Sequence, residues 1–190
     1  GFGNDGTIIG PARTPVTAGF ALDFDGRDDY VEIEANPGMN NLDAVTMAAW
    51  IYPHADSHWH VLDKGDGDKR MYAEGTGRTL DGRIRYAGQH AYSASVGGTI
   101  ILNTWQHIAL TWSRTTNRTR LYHNGAEVQY SLQDVGSGGV LDDTTHPFTI
   151  GARGALGEAT FFNGLIDEVR LYGYALTEEE IQDVYNLSDP

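Results

Sequence analysis

Cysteine is absent from this 190-residue chain, so a disulfide framework and a thiol nucleophile are both excluded. Secretion is not excluded, because a chain of this length can bury a substantial core without covalent cross-links. Proline is sparse, with 6 residues against 24 glycines. Basic residues are also scarce: 13 Lys and Arg face 26 Asp and Glu, for a formal charge of −13. That surplus of acid argues against broad contact with nucleic acid or an anionic membrane, since phosphate binding needs clustered cations. No run approaches the roughly 18 apolar residues of a membrane helix. A glycine-rich phosphate loop, a nucleophile elbow and zinc-ligand spacing are all missing. The chain begins at Gly1 with no signal peptide, and we expect an excised module whose export signal lies outside it.

What is present favours many short strands. Abundant glycine and 11% aromatic residues suit tight turns between half-buried strands. We expect residues 1–17 to form a loop and residues 188–190 to begin a linker, with one domain spanning 1–190. Phe20, Leu22 and Phe24 alternate with Ala21, Asp23 and Asp25, and after a turn Tyr30–Glu34 reads as the partner strand. Thr46–Tyr52 is a mostly buried strand stopped by Pro53. Val61–Val96 alternates weakly and is cut by KGDGDK, EGTGR and DGR, which predicts short strands with prominent loops. Trp105–Trp112 and Arg118–Tyr122 alternate clearly, and Asn124-Gly125 is a hairpin dipeptide. Phe148–Gly151 and Leu165–Tyr172 supply the last strands. By period-2 alternation Leu165, Asp167, Val169 and Leu171 share a face, so Asp167 needs a partner. The single helix is expected at the end: Thr177 and Glu180 form a capping box, and Leu176 with Ile181 a hydrophobic staple.

In order, FDG with DDYVEI, TMAAWIYP, TWQHIALTW, TRLYHNGAEV, FTIG and GLIDEVRLYGYALTEEEI resemble the laminin G-like domains of the concanavalin A-like lectin/glucanase superfamily, over roughly residues 18–187. The resemblance implies an all-β, two-sheet antiparallel jelly roll with one concave sheet and a short C-terminal helix. It also implies frequent calcium binding, and frequent use as a carbohydrate-binding module joined to a catalytic domain in secreted, often bacterial, polysaccharide-degrading enzymes. Fold alone does not settle activity, because the superfamily includes lectins, adhesion modules, glycosidases and lyases.

Three residue sets carry candidate chemistry. Asp25 and Asp28, in the turn after the first strand, could hold calcium with Asp167, since the ion takes six to eight hard oxygens. Alternatively the two turn acids stabilise the turn and Asp167 pairs with Arg27 or Arg170. Asp63, Asp66 and Asp68 form a second acidic set without the length or final glutamate of an EF-hand loop. The pentraxin-type double calcium site is not expected, because the segment after FTIG carries Glu158 alone. The third set is basic and aromatic: Lys64, Lys69, Arg70, Arg78, Arg83 and Arg85, among His58, Trp59, His60, Tyr72, Tyr86, His90 and Tyr92. Aromatic faces grip pyranose rings and guanidinium forks bind carboxylate or sulfate. Trp59, His60, Arg70, Tyr72, Arg83, Arg85, His90 and Tyr92 are therefore the candidate ligand-binding residues for a polysaccharide, including an acidic one. Trp59, in the HWH segment, is the expected exposed stacking residue. In the alternative, these cations balance Asp63, Asp66, Asp68, Glu74 and Asp81 in surface pairs.

Trp50, Trp105, Trp112, His107 and His123 are expected to be structural. A hydrolase of this fold would need an E-x-D-x-x-E strand, which is absent, and Asp167-Glu168 should project to opposite faces. Tyr86, Gln89, His90 and Tyr92 offer lyase-like groups. The leading expectation is a non-catalytic glycan-binding module. A lyase or hydrolase and a protein-binding adhesion module are the alternatives.

Overall fold

The computed structural model describes residues 5–65, 68–154 and 160–187. Asp66, Glu158 and the predicted linker at 188–190 lie outside the described residues. Among the described residues fifteen strands, numbered in chain order, form two antiparallel sheets. The seven-stranded sheet runs β12 (Ala126–Glu127), β11 (Arg118–His123), β10 (Gln106–Ser113), β5 (Ala44–Pro53), β15 (Asn163–Tyr172), β3 (Gly19–Asp25), β2 (Ala12–Val16). The eight-stranded sheet runs β1 (Thr7–Ile9), β4 (Tyr30–Ile33), β14 (Phe148–Ile150), β6 (Trp59–Lys64), β7 (Lys69–Glu74), β8 (Thr79–Ile84), β9 (Ala91–Ser95), β13 (Tyr130–Asp134). The all-β jelly-roll expectation is thus met, and the first long strand and the last are hydrogen-bonded neighbours, β3 beside β15.

The apolar alternation builds the core. Val45, Met47, Ala49 and Ile51 of β5 meet Met71, Leu80 and Ile84 from the opposite sheet in one buried cluster. Gly82 lets the sheets approach: a Cβ there would sit 2.3 Å from Leu110 Cδ1. The other face of β5 is also covered. Ala48, Ala109 and Tyr122 pack under Leu176, Ile181 and Val184 of α1 (Glu178–Leu187), and Trp50 stacks on Tyr185 with ring centroids 5.5 Å apart. Trp50 and Trp112 are buried as expected, but Trp50 lies under the helix rather than between the sheets. The helix begins with the predicted capping box: Glu180 N donates to Thr177 Oγ1 at 3.3 Å, and Thr177 N to Glu180 Oε2 at 2.8 Å. Asn124 and Gly125 both have positive φ, 49° and 81°, as the tight β11–β12 hairpin requires.

Two local expectations are corrected. Part of the region predicted as a leading loop is strand: β1 pairs with β4 and β2 with β3. These are short edge strands whose backbone is recruited by a neighbour, and local sequence carries little of that pairing. Phe20, expected to point inward with Leu22 and Phe24, is 62% exposed at the start of β3.

Candidate functional site

The outer face of the eight-stranded sheet gathers most of the basic and aromatic residues singled out in the sequence. Register places them in two rungs. One rung runs Asp63, Arg70, Arg83, Tyr92, Asp134 across β6, β7, β8, β9 and β13. The parallel rung, two residues along on β7, β8, β9 and β13 and three along on β6, runs His60, Tyr72, Asp81, Ala94, Leu132. With strands about 4.8 Å apart, five residues spread over more than 60 positions of sequence lie side by side over roughly 20 Å.

Packing within the rungs fixes their chemistry. Rings of His58, His60 and Tyr72 stack with centroids 5.1 to 5.7 Å apart. The Arg70 guanidinium lies 4.3 Å from the Tyr72 ring centroid. Arg70 Nη1 donates to His60 Nε2 at 3.2 Å, and a guanidinium can only donate, so the His60 proton sits on Nδ1. Burial, reinforced by the Arg70 charge, pushes the His60 pKa down to about 2, so the ring is neutral. Tyr92 donates its hydroxyl to Asp81 Oδ1 at 2.7 Å, and Thr79 Oγ1 donates to Asp81 Oδ2. Burial raises the Asp81 carboxyl, and burial with the Asp81 hydrogen bond holds Tyr92 well above the ordinary phenol range. Arg83 is lowered, first by burial and then by the adjacent Arg70 charge. Tyr72, Arg83, Gln89, His90, Tyr92 and Asp134 line an open cleft of about 310 Å³. Tyr86 N donates to His90 Nδ1, which leaves the His90 proton on Nε2 and makes that nitrogen a donor.

Several candidate residues sit elsewhere. Trp59 is 1% exposed and is no stacking platform. It opens β6 opposite Ala73, faces the core against Phe162 with centroids 4.9 Å apart, and gives Nε1–H to Ala55 O. A β-bulge between His60 and Leu62 keeps His60 on the outer face, and sequence alternation did not reveal it. His60 is fully buried, and Arg70 and Tyr72 are nearly so, which makes this stack the floor of the cleft rather than its contact surface. Arg85 Nη1 pairs with Asp68 Oδ1 at 3.4 Å. Asp68 also meets His146 Nδ1, so it is a buried ion-pair residue rather than part of a solvated turn. Lys69 is buried against Asp143, and Lys64 reaches Asn40 and the His146 carbonyl. Arg78 leans toward Asp56. The basic cluster thus divides between a rim of ion pairs and the cleft. Tyr86, considered with the lyase groups, is buried and bonded to Asn117 and Trp112.

The acidic turn is also revised. Asp25, Asp28 and Asp29 offer carboxylate oxygens within 4.8 Å of one another. Asp29 is 8% exposed, accepts the Asp25 N–H at 2.8 Å, and has its carboxyl raised by burial. Asp167 does not join them. Asn163 is the residue of β15 opposite Asp25, so Asp167 lies four positions, roughly 13 Å, further along. A bulge at Asp167–Glu168, with Glu168 at φ 48°, also breaks the assumed alternation. Ile166, Val169 and Leu171 face the core, while Asp167 caps the Glu168 N–H and lies on the helix-bearing side. Arg170 pairs with Glu168 rather than Asp167. Asp25 Oδ1 accepts the Arg27 N–H, so turn stabilisation is real as well.

Sequence reading placed Asp29 in the calcium turn without choosing it as a ligand, and it missed Asp134. Asp134 had no motif around it, and only β13 pairing beside β9 delivers it.

A two-sheet jelly roll with one sheet face under a helix and an aromatic, arginine-bearing cleft on the other sheet is a concanavalin A-like architecture. Residues 25–182 match the concanavalin A-like lectin/glucanases superfamily, in its laminin G-type family, and the chain belongs to it. The zebrafish (Danio rerio) adhesion G-protein coupled receptor V1 is 25% identical over 178 residues, covering 87% of this chain and 3% of that receptor's length. Domain 4 of AbnA, an extracellular GH43 arabinanase from Geobacillus stearothermophilus solved with arabinotriose, superposes with a TM-score of 0.66 at 18% identity, covering 95% of this chain and 87% of that one. A pentraxin from Limulus polyphemus gives 0.56 at 21% identity, covering 85% and 83%. At these identities the two structures establish the shared fold.

Proposed function

We propose that the protein is a non-catalytic carbohydrate-binding module of a secreted polysaccharide-degrading enzyme, and that it holds its glycan in the cleft between Tyr72, Arg83 and Tyr92. The observation carrying this reading is the cleft lining itself. It combines the half-buried ring of Tyr92 over a floor formed by the nearly buried Tyr72, with a guanidinium, a side-chain amide, an imidazole donor and a carboxylate. Rings cover the apolar face of a sugar, while planar polar groups bond its hydroxyls or a carboxylate substituent. The arabinanase domain solved with arabinotriose supports a glycan as ligand. The module would raise the local concentration of a linked catalytic domain on an extended substrate.

Protonation in the cleft supports binding over catalysis. His60 is neutral, buried and already bonded; His90 carries its proton on Nε2; Tyr92 resists ionisation; Asp81 is occupied by two hydroxyls. Among the described residues Asp134 is the one carboxylate lining this cleft, and glycoside hydrolysis uses a pair. The zebrafish receptor's name favours protein adhesion as the second reading.

Calcium belongs to the proposal as a structural ion. Asp25, Asp28 and Asp29 fit it chemically: they are hard oxygen donors at one turn, and a buried carboxylate beside two others is relieved by a cation. The ion would supply charge neutralisation at the β3–β4 turn.

Affinity electrophoresis of wild type and Tyr92→Ala against a panel of neutral and acidic polysaccharides tests the function. Retardation that Tyr92→Ala weakens at least tenfold, without release of reducing or unsaturated ends, is expected. Product release would establish an enzyme, and absence of retardation on every glycan would favour adhesion.

A further inference from the structure

We infer that the protein carries a second glycan-binding surface, on the outer face of the seven-stranded sheet, where Tyr52, His54 and Trp105 take an uncharged sugar. This rests on the reading of the protein as a glycan binder, but it uses none of the cleft residues.

The surface is built at the end of β5. Tyr52 lies two residues beyond Trp50 and so on the same outer face, one rung past the Tyr185 ring that covers Trp50. Continuing the Gln106–Ile51 register by one residue sets Trp105 opposite Tyr52, and the two rings meet edge to face with centroids 5.7 Å apart. His54 also meets Tyr52 edge to face, at 5.5 Å. Backbone bonds hold the group in place: Asn103 N donates to Pro53 O at 2.8 Å, and His54 N to Asn163 O at 2.9 Å. Gly164 lets β15 close against this end of β5, since a Cβ there would sit 2.2 Å from Tyr52 O. Rings fixed at strand ends in this way lose little freedom when a ligand arrives.

Exposure separates this group from the other aromatics. Trp50, Trp59 and Trp112 are at most 5% exposed, whereas Trp105 and Tyr52 are half-buried and His54 is exposed. Trp105, expected to be structural, is thus the tryptophan that reaches solvent. Its indole N–H and the Tyr52 hydroxyl are neither buried nor hydrogen-bonded among the described residues. The indole N–H groups of Trp59 and Trp112, by contrast, both find protein acceptors. A ring whose apolar body is packed and whose polar tip is in water can take the C–H face of a sugar and bond a hydroxyl beside it.

Charge and size choose the ligand. The rung runs Trp105, Tyr52, Leu165, Asp23, Ala12, and the next holds His107, Trp50 and Asp167. Neither carries Lys or Arg, and Arg170, one rung further, is paired with Glu168. The formal charges on the two rungs are carboxylates, which disfavour an anionic sugar. Three adjacent rings fall well short of the roughly 800 Å² that a stable protein interface buries per partner, but match a short stretch of glycan.

Acrylamide quenching of tryptophan fluorescence tests this with linear arabinan, galactan, mannan and β-glucan, and with polygalacturonate as the acidic control. Wild type, Tyr92→Ala, Trp105→Ala and the double variant are compared, and affinity electrophoresis follows binding. A bound neutral glycan should lower the wild-type quenching constant about twofold, and should do so in Tyr92→Ala as well, because the accessible tryptophan is Trp105. Trp105→Ala should weaken retardation about fivefold, and the double variant more, while polygalacturonate protects nothing. Should Trp105→Ala fail to fold, quenching in Tyr92→Ala decides alone. Retardation without protection, with Trp105→Ala binding as wild type, would overturn the inference and leave the cleft reading standing. Protection that Tyr92→Ala abolishes would overturn an independent site, and protection by polygalacturonate would overturn the choice of an uncharged sugar. Protection kept while Tyr92→Ala is retarded as wild type would sustain this surface and overturn the cleft. No retardation on any glycan would sink both.

Discussion

Acid should unfold this protein in a window set by two buried imidazoles. His60 and His107 are each 1% exposed or less. Burial lowers their pKa from 6.5 to about 2 and about 4, respectively. In the unfolded chain both rings take a proton as pH falls through 6.5; in the folded chain neither does until far lower. The unfolded state therefore binds more protons below pH 6.5, and stability falls as pH falls. Each ring contributes a slope of about 1.4 kcal/mol per pH unit, or about 3 kcal/mol by pH 4, and His60 continues downward. Losses near 6 kcal/mol are comparable with a whole domain's stability of about 5–15 kcal/mol. The raised carboxyls of Asp81 and Asp167 act in the opposite sense and offset part of it. Urea denaturation of wild type and His107→Phe at pH 7.5, 6, 5 and 4.5 isolates one ring. Phenylalanine keeps the edge contacts with Trp50 and Tyr185, so the variant should lose about one proton's worth of slope. Parallel stability curves for the two proteins would refute the assignment of a neutral, proton-excluding His107.

Further outcomes follow from the same geometry. Trp59→Ala should cost about 3–5 kcal/mol through a core cavity, while the folded fraction keeps its glycan affinity; lost affinity at unchanged melting temperature would restore the platform role. Calcium should raise the melting temperature and EDTA reverse it, with Asp29→Asn abolishing the response and Asp167→Asn leaving it; a response that depends on Asp167 would contradict the strand register. Thr177→Ala should cost about 1 kcal/mol by urea titration, since it removes one half of the capping box.

Much of the architecture was legible because its signals are local. Thr177 and Glu180 lie within one turn, Asn124-Gly125 dictates its own hairpin, and the alternation in β10 reads directly as burial. The failures are equally specific. Trp59 was placed on the surface because weak alternation around a bulge hides which way a ring points. Asp167 was assigned to the calcium turn because a bulge at Glu168 cannot be seen in a period-2 pattern.

Composition, turn chemistry and strand periodicity, by themselves, determined an all-β chain with a capped C-terminal helix and pointed to the segment that furnishes most of the cleft, while the jelly roll was what the resemblance to laminin G-like domains implied. Only the tertiary structure decided which carboxylates meet and which cations line the cleft. Those facts depend on strand register: pairing sets Asn163 rather than Asp167 opposite Asp25, and brings Asp134 to within two strands of Arg83. Register is fixed by long-range hydrogen bonding and burial of a whole face, and no short stretch of sequence contains it.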